Sequence, residues 1–492
     1  MRVLALDQGT SATKAVVVDV DANRQGITVL AEVDVPVTGQ RYDGDAVEQD
    51  PEALWRSILD AATAALRSVG GAGGVDCLGV GNQGETVLAW RRSSGEPLTP
   101  ALVWQDRRAV SVTDRLQPWG ERLQQLTGLP LDPYFAAAKQ TWVREQLLDA
   151  EQRDDADVVV TTIDAWVLNR LCGRAVTDAA TASRTQLLDL DSTRWSSEAC
   201  GAFGIDVASL PDVVACDEPL GDTHAFGSPL PVTGADVDQQ AALFAQGCRA
   251  AGESKCTYGT GAFLLANLGD TPHRSHNQLA TSVAWATRDG DVRYCADGQV
   301  YTVGAAVRWL QRLGLIDEPA DLDRVGGATP GSGGAVFVPS LAGVGAPRWV
   351  PEARGSFSGL SLSTTREHLV HAFVLGIAAQ VTMLARAVED DLGSPLTALR
   401  VDGGLTRSTL LMQAQADLLG APVEVYPHAC ATALGVAGFA LRGHAGAGAE
   451  EALVTGWQPD QVFEPAIPRD EAEETYGRWL AALDASIAES QP

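Results

Sequence analysis

Leu6-Asp7-Gln8-Gly9-Thr10-Ser11-Ala12-Thr13-Lys14, close to the amino terminus, decides how the rest of the chain is read. Val3 to Leu6 is apolar and β-prone, Asp7 to Thr13 is a turn rich in glycine and hydroxyl groups, and Ala15 to Asp19 reads as a second strand. Near mid-chain the same grammar returns. Lys255-Cys256-Thr257-Tyr258 leads into Gly259-Thr260-Gly261-Ala262 and then the apolar strand Phe263 to Ala266. The two turns share three of four residues, which predicts two related halves with a boundary near Ala245 to Gly252, and hence domains 1–247 and 248–492.

Each hairpin suits a polyphosphate. Glycine lets the backbone approach closely, Thr10 and Ser11 offer hydroxyl and N–H donors, Lys14 adds charge, and Asp7 could hold a magnesium ion through water. Two such turns facing one another would grip a triphosphate from both sides. Between and after them, strand-like runs (Val158 to Val160, Ala335 to Val338, Leu399 to Val401) alternate with helical ones. Pro51 to Leu66, with Asp50 as its cap, Leu405 to Leu419, and the amphipathic tail Glu471 to Glu489 all read as helices, so the fold class is α/β.

Composition narrows the partners. A chain of 492 residues exceeds one compact core. A net charge of −27 opposes nucleic-acid backbones and anionic membranes, so neither is expected as a partner. No long uncharged apolar run or leader is visible, and the eight cysteines are scattered without a C-x-x-C pair, which points to a cytoplasmic protein with reduced thiols. The oligomeric state, including a homo-oligomer, stays open. Only three of the 36 basic residues are lysines (Lys14, Lys139, Lys255), and all three adjoin the motifs discussed here.

Two glycine patterns mislead. Gly79 to Gly84 fits G-x-G-x-x-G, but a dinucleotide fingerprint opens a helix, and Glu85 to Trp90 continues as a strand. Gly247 to Lys255 lacks the spacing of a P-loop. Asp238-Gln239-Gln240, by contrast, precedes the helical run Ala241 to Ala245. That places a carboxylate at a helix start, as a cap or as the base that phosphoryl transfer requires.

With these segments in order the chain resembles the FGGY carbohydrate kinases, nearest to their glycerol kinase branch. The likeness rests on Leu6 to Thr10, Glu48 to Pro51, Val103 to Arg108, Leu131 to Phe135, Ala182 to Thr185, Asp238 to Phe244, Thr257 to Gly261, Gly345 to Trp349 and Val401 to Gly404. It implies two actin-like (ribonuclease H-like) ATPase domains around a central cleft, with ATP and Mg²⁺ used to phosphorylate a small polyol or sugar. By resemblance Asp238 is the catalytic base. Glu85, Trp104, Tyr134, Gln239 and Phe263 match the acceptor pocket. Thr10, Ser11, Lys14, Thr260, Gly304, Arg308, Gly404 and Ser408 match nucleotide contacts.

Three departures stand out. Gly84 replaces a pocket arginine, and Arg308 and Ser408 replace the usual Gln and Asn. Gly84 suggests room for a four-carbon polyol unless Arg107 or Arg108 fills the gap. A ketopentose kinase and an actin-like ATPase with no sugar substrate are the alternatives. His224 lies near a histidine that is phosphorylated in some relatives, although an ordinary loop histidine is the simpler reading.

Overall fold

The first hairpin is longer than its turn chemistry suggests: strands Arg2–Gln8 and Ala12–Asp21 pair antiparallel, with Asp7 opposite Lys14, and only Gly9 to Ser11 turns. In this computed structural model, which describes residues 1–21 and 26–490, the hairpin forms part of a six-stranded sheet. Cys77–Asn82 runs parallel to the first strand, and Leu230–Val237 runs parallel to Cys77–Asn82.

The second hairpin, Ser254–Tyr258 and Ala262–Gly269, occupies the equivalent place in a seven-stranded sheet, where Leu399–Asp402 is its parallel neighbour. An antiparallel hairpin with a parallel strand beside its first member is thus built twice. The expected internal repeat and α/β class are both present.

Helices cover the sheets as the local sequence directs. Pro51–Arg67 begins where expected, with Asp50 accepting from the Glu52 amide, and buries Leu54, Ile58 and Ala61. Arg366–Leu392 is long and apolar enough to cross a membrane, yet its middle is packed inside the second half beside the Phe337–Phe373 stack. The stretch expected to be one helix from Leu405 breaks. Gly404–Arg407 is a single tight turn, and the helix proper is Thr409–Leu419. Ser408 is the cause: it is extended and uses its hydroxyl to cap the Leu411 amide.

One connection ignores sequence order. The helix Ala431–Ala445, from late in the chain, packs on the first sheet and on the helix Asp238–Ala245. Contact is backbone to backbone. A Cβ added to Gly435 would lie 1.9 Å from the Ala241 carbonyl oxygen, and one added to Gly443 would lie 1.9 Å from that of Thr233. Phe244 and Phe439 stack at 4.3 Å inside the same interface.

Gly435→Ala is therefore expected to cost about 3 kcal/mol or more, because the clash is with main chain that cannot step aside. Gly477→Ala, on an exposed helical turn with nothing within 4 Å, should instead gain about 0.5–1 kcal/mol. Denaturant titration of both variants checks the contrast.

Candidate active site

Both hairpin turns point into one cavity of about 340 Å³, with Thr10 and Ser11 on one side and Gly259 and Thr260 on the other. Its walls include Gly84, Glu85, Trp104, Tyr134, Asp238, Gln239, Phe263 and Arg308. A second cavity of about 540 Å³ adjoins it, lined by Gly304, Arg308, Gly404 and Ser408. Gly259 and Arg308 belong to both, so the two form one groove.

The residues expected to meet an acceptor thus gather at one end, and those expected to meet a nucleotide run outward from it. Lys14 departs from the expectation. It lines neither cavity, because its ammonium is drawn across to Glu32 (2.5 Å) and Asp34 (3.4 Å) on the neighbouring strand. The Ser408 hydroxyl is likewise engaged, donating to Asp323.

The acceptor end has an aromatic wall. Trp104 sits edge-on to Tyr134 (5.8 Å) and to Phe263 (6.1 Å), the latter from the opposite half of the chain. The Trp104 indole donates to Thr10 Oγ1 (2.9 Å), which in turn donates to Gln83 (3.0 Å), so wall and phosphate turn are held in register. Glu85 enters the cavity from a left-handed backbone conformation (φ 57°), uncommon for a non-glycine residue.

Arg184 is the wall residue that motif reading passed over. Its Nε donates to Glu85 Oε1 (2.7 Å), and its Nη1 lies 2.5 Å from Asp297 Oδ2, all three groups being buried. The signal was available, since Arg184 stands inside the quoted segment Ala182 to Thr185. What the sequence withheld was its partner, 99 residues away. Arg107 and Arg108 do not fill the space beside Gly84. Arg108 is bound to Asp106 and Glu48, Arg107 leans toward Asp132, and neither lines the cavity. Val237 borders it: a Cβ on Gly84 would lie 3.2 Å from Val237 Cγ2.

Asp238 is the first helical residue rather than the cap, which is Val237. Its Oδ1 accepts from the Gln239 amide (2.7 Å), and its main-chain carbonyl accepts from Thr432 of the crossing helix (3.1 Å). Desolvation, then the Glu85 charge, pushes its carboxyl up to about 6, with Lys255 pulling the other way. Asp7 is pushed up to about 7 by desolvation and by Asp238, against the pull of Lys14. Asp7 lines neither cavity but lies near enough to Asp238 to feel its charge, and two such carboxylates are a donor set suited to a hydrated divalent cation.

The chain matches known proteins along nearly its whole length. Residues 2–245 match the N-terminal domain of the FGGY family of carbohydrate kinases, and residues 254–444 match its C-terminal domain. The chain belongs to this family. Among FGGY relatives, a glycerol kinase of Myxococcus xanthus is 40% identical over 98% of both chains. One from Thermus brockianus is 40% identical over 98% of this chain and 97% of its own. A Plasmodium falciparum glycerol kinase with ADP superposes with a TM-score of 0.89 at 28% identity, covering 99% of this chain and 98% of that one. A xylulose kinase of Lactobacillus acidophilus shares the fold (TM-score 0.87, 20% identity, full coverage of both chains). As an FGGY kinase, the protein is an ATP-using phosphotransferase with an alcohol group as acceptor. Its two α/β units and cleft are those of the family.

Behind the FGGY cleft lies a second acidic group. Asp236, two residues before Asp238, and Asp178 are buried, with Cys216 Sγ at 3.8 and 4.0 Å from one oxygen of each. Burial and the neighbouring Asp164 push Asp178 up to about 7, and burial and Asp178 push Asp236 well above the ordinary carboxylate range. Folding therefore retains protons that the unfolded chain releases near pH 3.8. The stability these acids contribute is complete below that value and is lost as pH rises through about 7. Asp236→Asn should melt a few degrees above wild type at pH 8 and within about a degree of it at pH 4. Equal melting temperatures at both pH values would show that the proton is not held.

Proposed function

We propose that the protein transfers the γ-phosphoryl group of ATP to a hydroxyl of glycerol. The observation that carries this reading is a carboxylate of raised pKa, Asp238, set between a polyol-sized aromatic and carboxylate end and two phosphate-type turns in a single groove. The 40% identity to glycerol kinases over nearly the whole chain supports the acceptor.

In this reading Trp104, Tyr134 and Phe263 bracket the carbon skeleton, and Glu85, fixed by Arg184, takes hydroxyl protons in hydrogen bonds. Gln239 donates to a hydroxyl oxygen. Asp238 accepts the proton of the attacking hydroxyl as its oxygen becomes the nucleophile. Thr10, Ser11 and Thr260 hold phosphate oxygens through hydroxyl and amide groups, while Gly304, Arg308 and Gly404 flank the outer part of the nucleotide. Ser408 serves first as a helix cap. Asp7 would hold Mg²⁺, which when bound offsets phosphate charge. Lys14 balances Asp7 from the next strand. The eight unpaired thiols support the cytoplasm as the compartment.

A four-carbon polyol is the second reading and rests on Gly84. Val237 weakens it, since its β-branched side chain abuts Gly84 and narrows the room that glycine leaves. Together, Gly84 and Val237 replace a cationic wall with an apolar one.

Asp238→Asn should retain fold and ATP binding while turnover falls about two to four orders of magnitude. In the wild type, kcat/KM for the acceptor should decline below about pH 6, where the base becomes protonated. Near-normal turnover in Asp238→Asn would move the proton acceptor elsewhere.

Specificity is tested with glycerol, erythritol, threitol and xylulose. Glycerol should be the best acceptor of the wild type, and Val237→Gly should raise kcat/KM for erythritol relative to glycerol by about tenfold, the scale of removing a few apolar carbons from a pocket wall. Gly84→Arg alone should impair every acceptor, and Gly84→Arg with Val237→Gly should recover glycerol. A wild type that prefers erythritol would return the size argument to first place.

A further inference from the structure

Lys255 stands behind the acceptor wall rather than in it. Its side chain is fully buried on the first strand of the second hairpin and does not line the cavity. Its ammonium donates to Gln239 Oε1 (2.5 Å) and to Thr257 Oγ1 (2.9 Å), and the Thr257 hydroxyl donates to Asp402 Oδ1 (2.5 Å). Asp402 ends the parallel strand of the second sheet, whereas Gln239 is the second residue of the helix Asp238–Ala245 of the first unit. The chain of bonds therefore crosses the floor of the cleft.

An ammonium has protons only to give, so the carboxamide of Gln239 must turn its oxygen toward Lys255. The NH₂ end is then the part left to serve the cavity that Gln239 lines. Without that bond the amide could rotate and present its carbonyl to a hydroxyl oxygen, to which it can donate no hydrogen bond.

The residue type fits this duty. Lysine is used three times in a chain otherwise rich in arginine, and in each case a compact ammonium is held by several oxygens at once. Lys139, also buried, donates to the carbonyls of Pro133, Tyr134 and Phe135, in the turn that carries Tyr134. A planar guanidinium could not reach such closely grouped acceptors.

We propose that Lys255 is a positioning residue for the acceptor: anchored on Thr257 and Asp402, it fixes the Gln239 carboxamide so that its NH₂ group faces an acceptor hydroxyl oxygen. This rests on the glycerol reading above. The tests are acceptor and ATP KM, glycerol affinity by calorimetry, and a double-mutant cycle between Lys255→Met and Gln239→Leu.

Lys255→Met should raise KM and Kd for glycerol at least tenfold and leave KM for ATP within about twofold. In the Gln239→Leu background it should raise acceptor KM less than twofold further. Lys255→Arg should not restore acceptor KM. Should Lys255→Met fail to fold, Thr257→Val, which keeps the lysine and removes its anchor, should still raise acceptor KM severalfold, and that rise should vanish in Gln239→Leu. Multiplicative effects in either cycle, an unchanged acceptor KM, or rescue by arginine would overturn the proposal. A wild type inactive on glycerol would instead overturn the acceptor assignment.

Discussion

Acidic groups crowd the floor of this cleft. Glu85, Asp238 and Asp297 line it with Asp7 close by, and the cations within reach, Arg184, Lys255 and Lys14, are each shared among several partners. Holding like charges together away from bulk water is costly, and the surrounding fold keeps them in place. Thr432 pins the start of the Asp238 helix, and the left-handed turn at Glu85 aims its carboxylate. The bond from Trp104 to Thr10 couples the aromatic wall to a phosphate-type turn. Burial and mutual repulsion raise the proton affinity of Asp238 and Asp7, moving both carboxyls toward neutrality.

Much of this arrangement is legible in the chain because its signals are local. Glycine with hydroxyl residues between apolar runs specifies both hairpins, Asp50-Pro51 starts a helix, and Asp238 before an alanine-rich run sits at a helix start. Reading fails where a side chain is committed over distance. Lys14 lies in a phosphate-type turn by sequence, but cross-strand register hands it to Glu32 and Asp34. Ser408 lines the outer cavity as the resemblance implies, but the sequence does not show that its hydroxyl also caps a helix and bonds Asp323. Arg184 is plain in its motif, while its bond to Glu85 exists only after folding.

Gly84 shows the same limit from the other side. Loss of a large residue reads as a vacancy only while its neighbour is unknown. The neighbour, Val237, adjoins Asp238 in sequence, but nothing local says that its side chain meets Gly84. The two positions form one surface and have to be read as a pair.

The late helix Ala431–Ala445 also carries a consequence for biosynthesis. It supplies part of the apolar interface beneath the first sheet, including the stack of Phe244 on Phe439. As the chain leaves the ribosome, the first half must wait with that face uncovered until nearly two hundred further residues have emerged, many seconds at ordinary elongation rates. The opening half of the gene therefore encodes a unit whose completion is deferred, and nascent chains cut short before this helix would expose sticky surface instead of a finished domain.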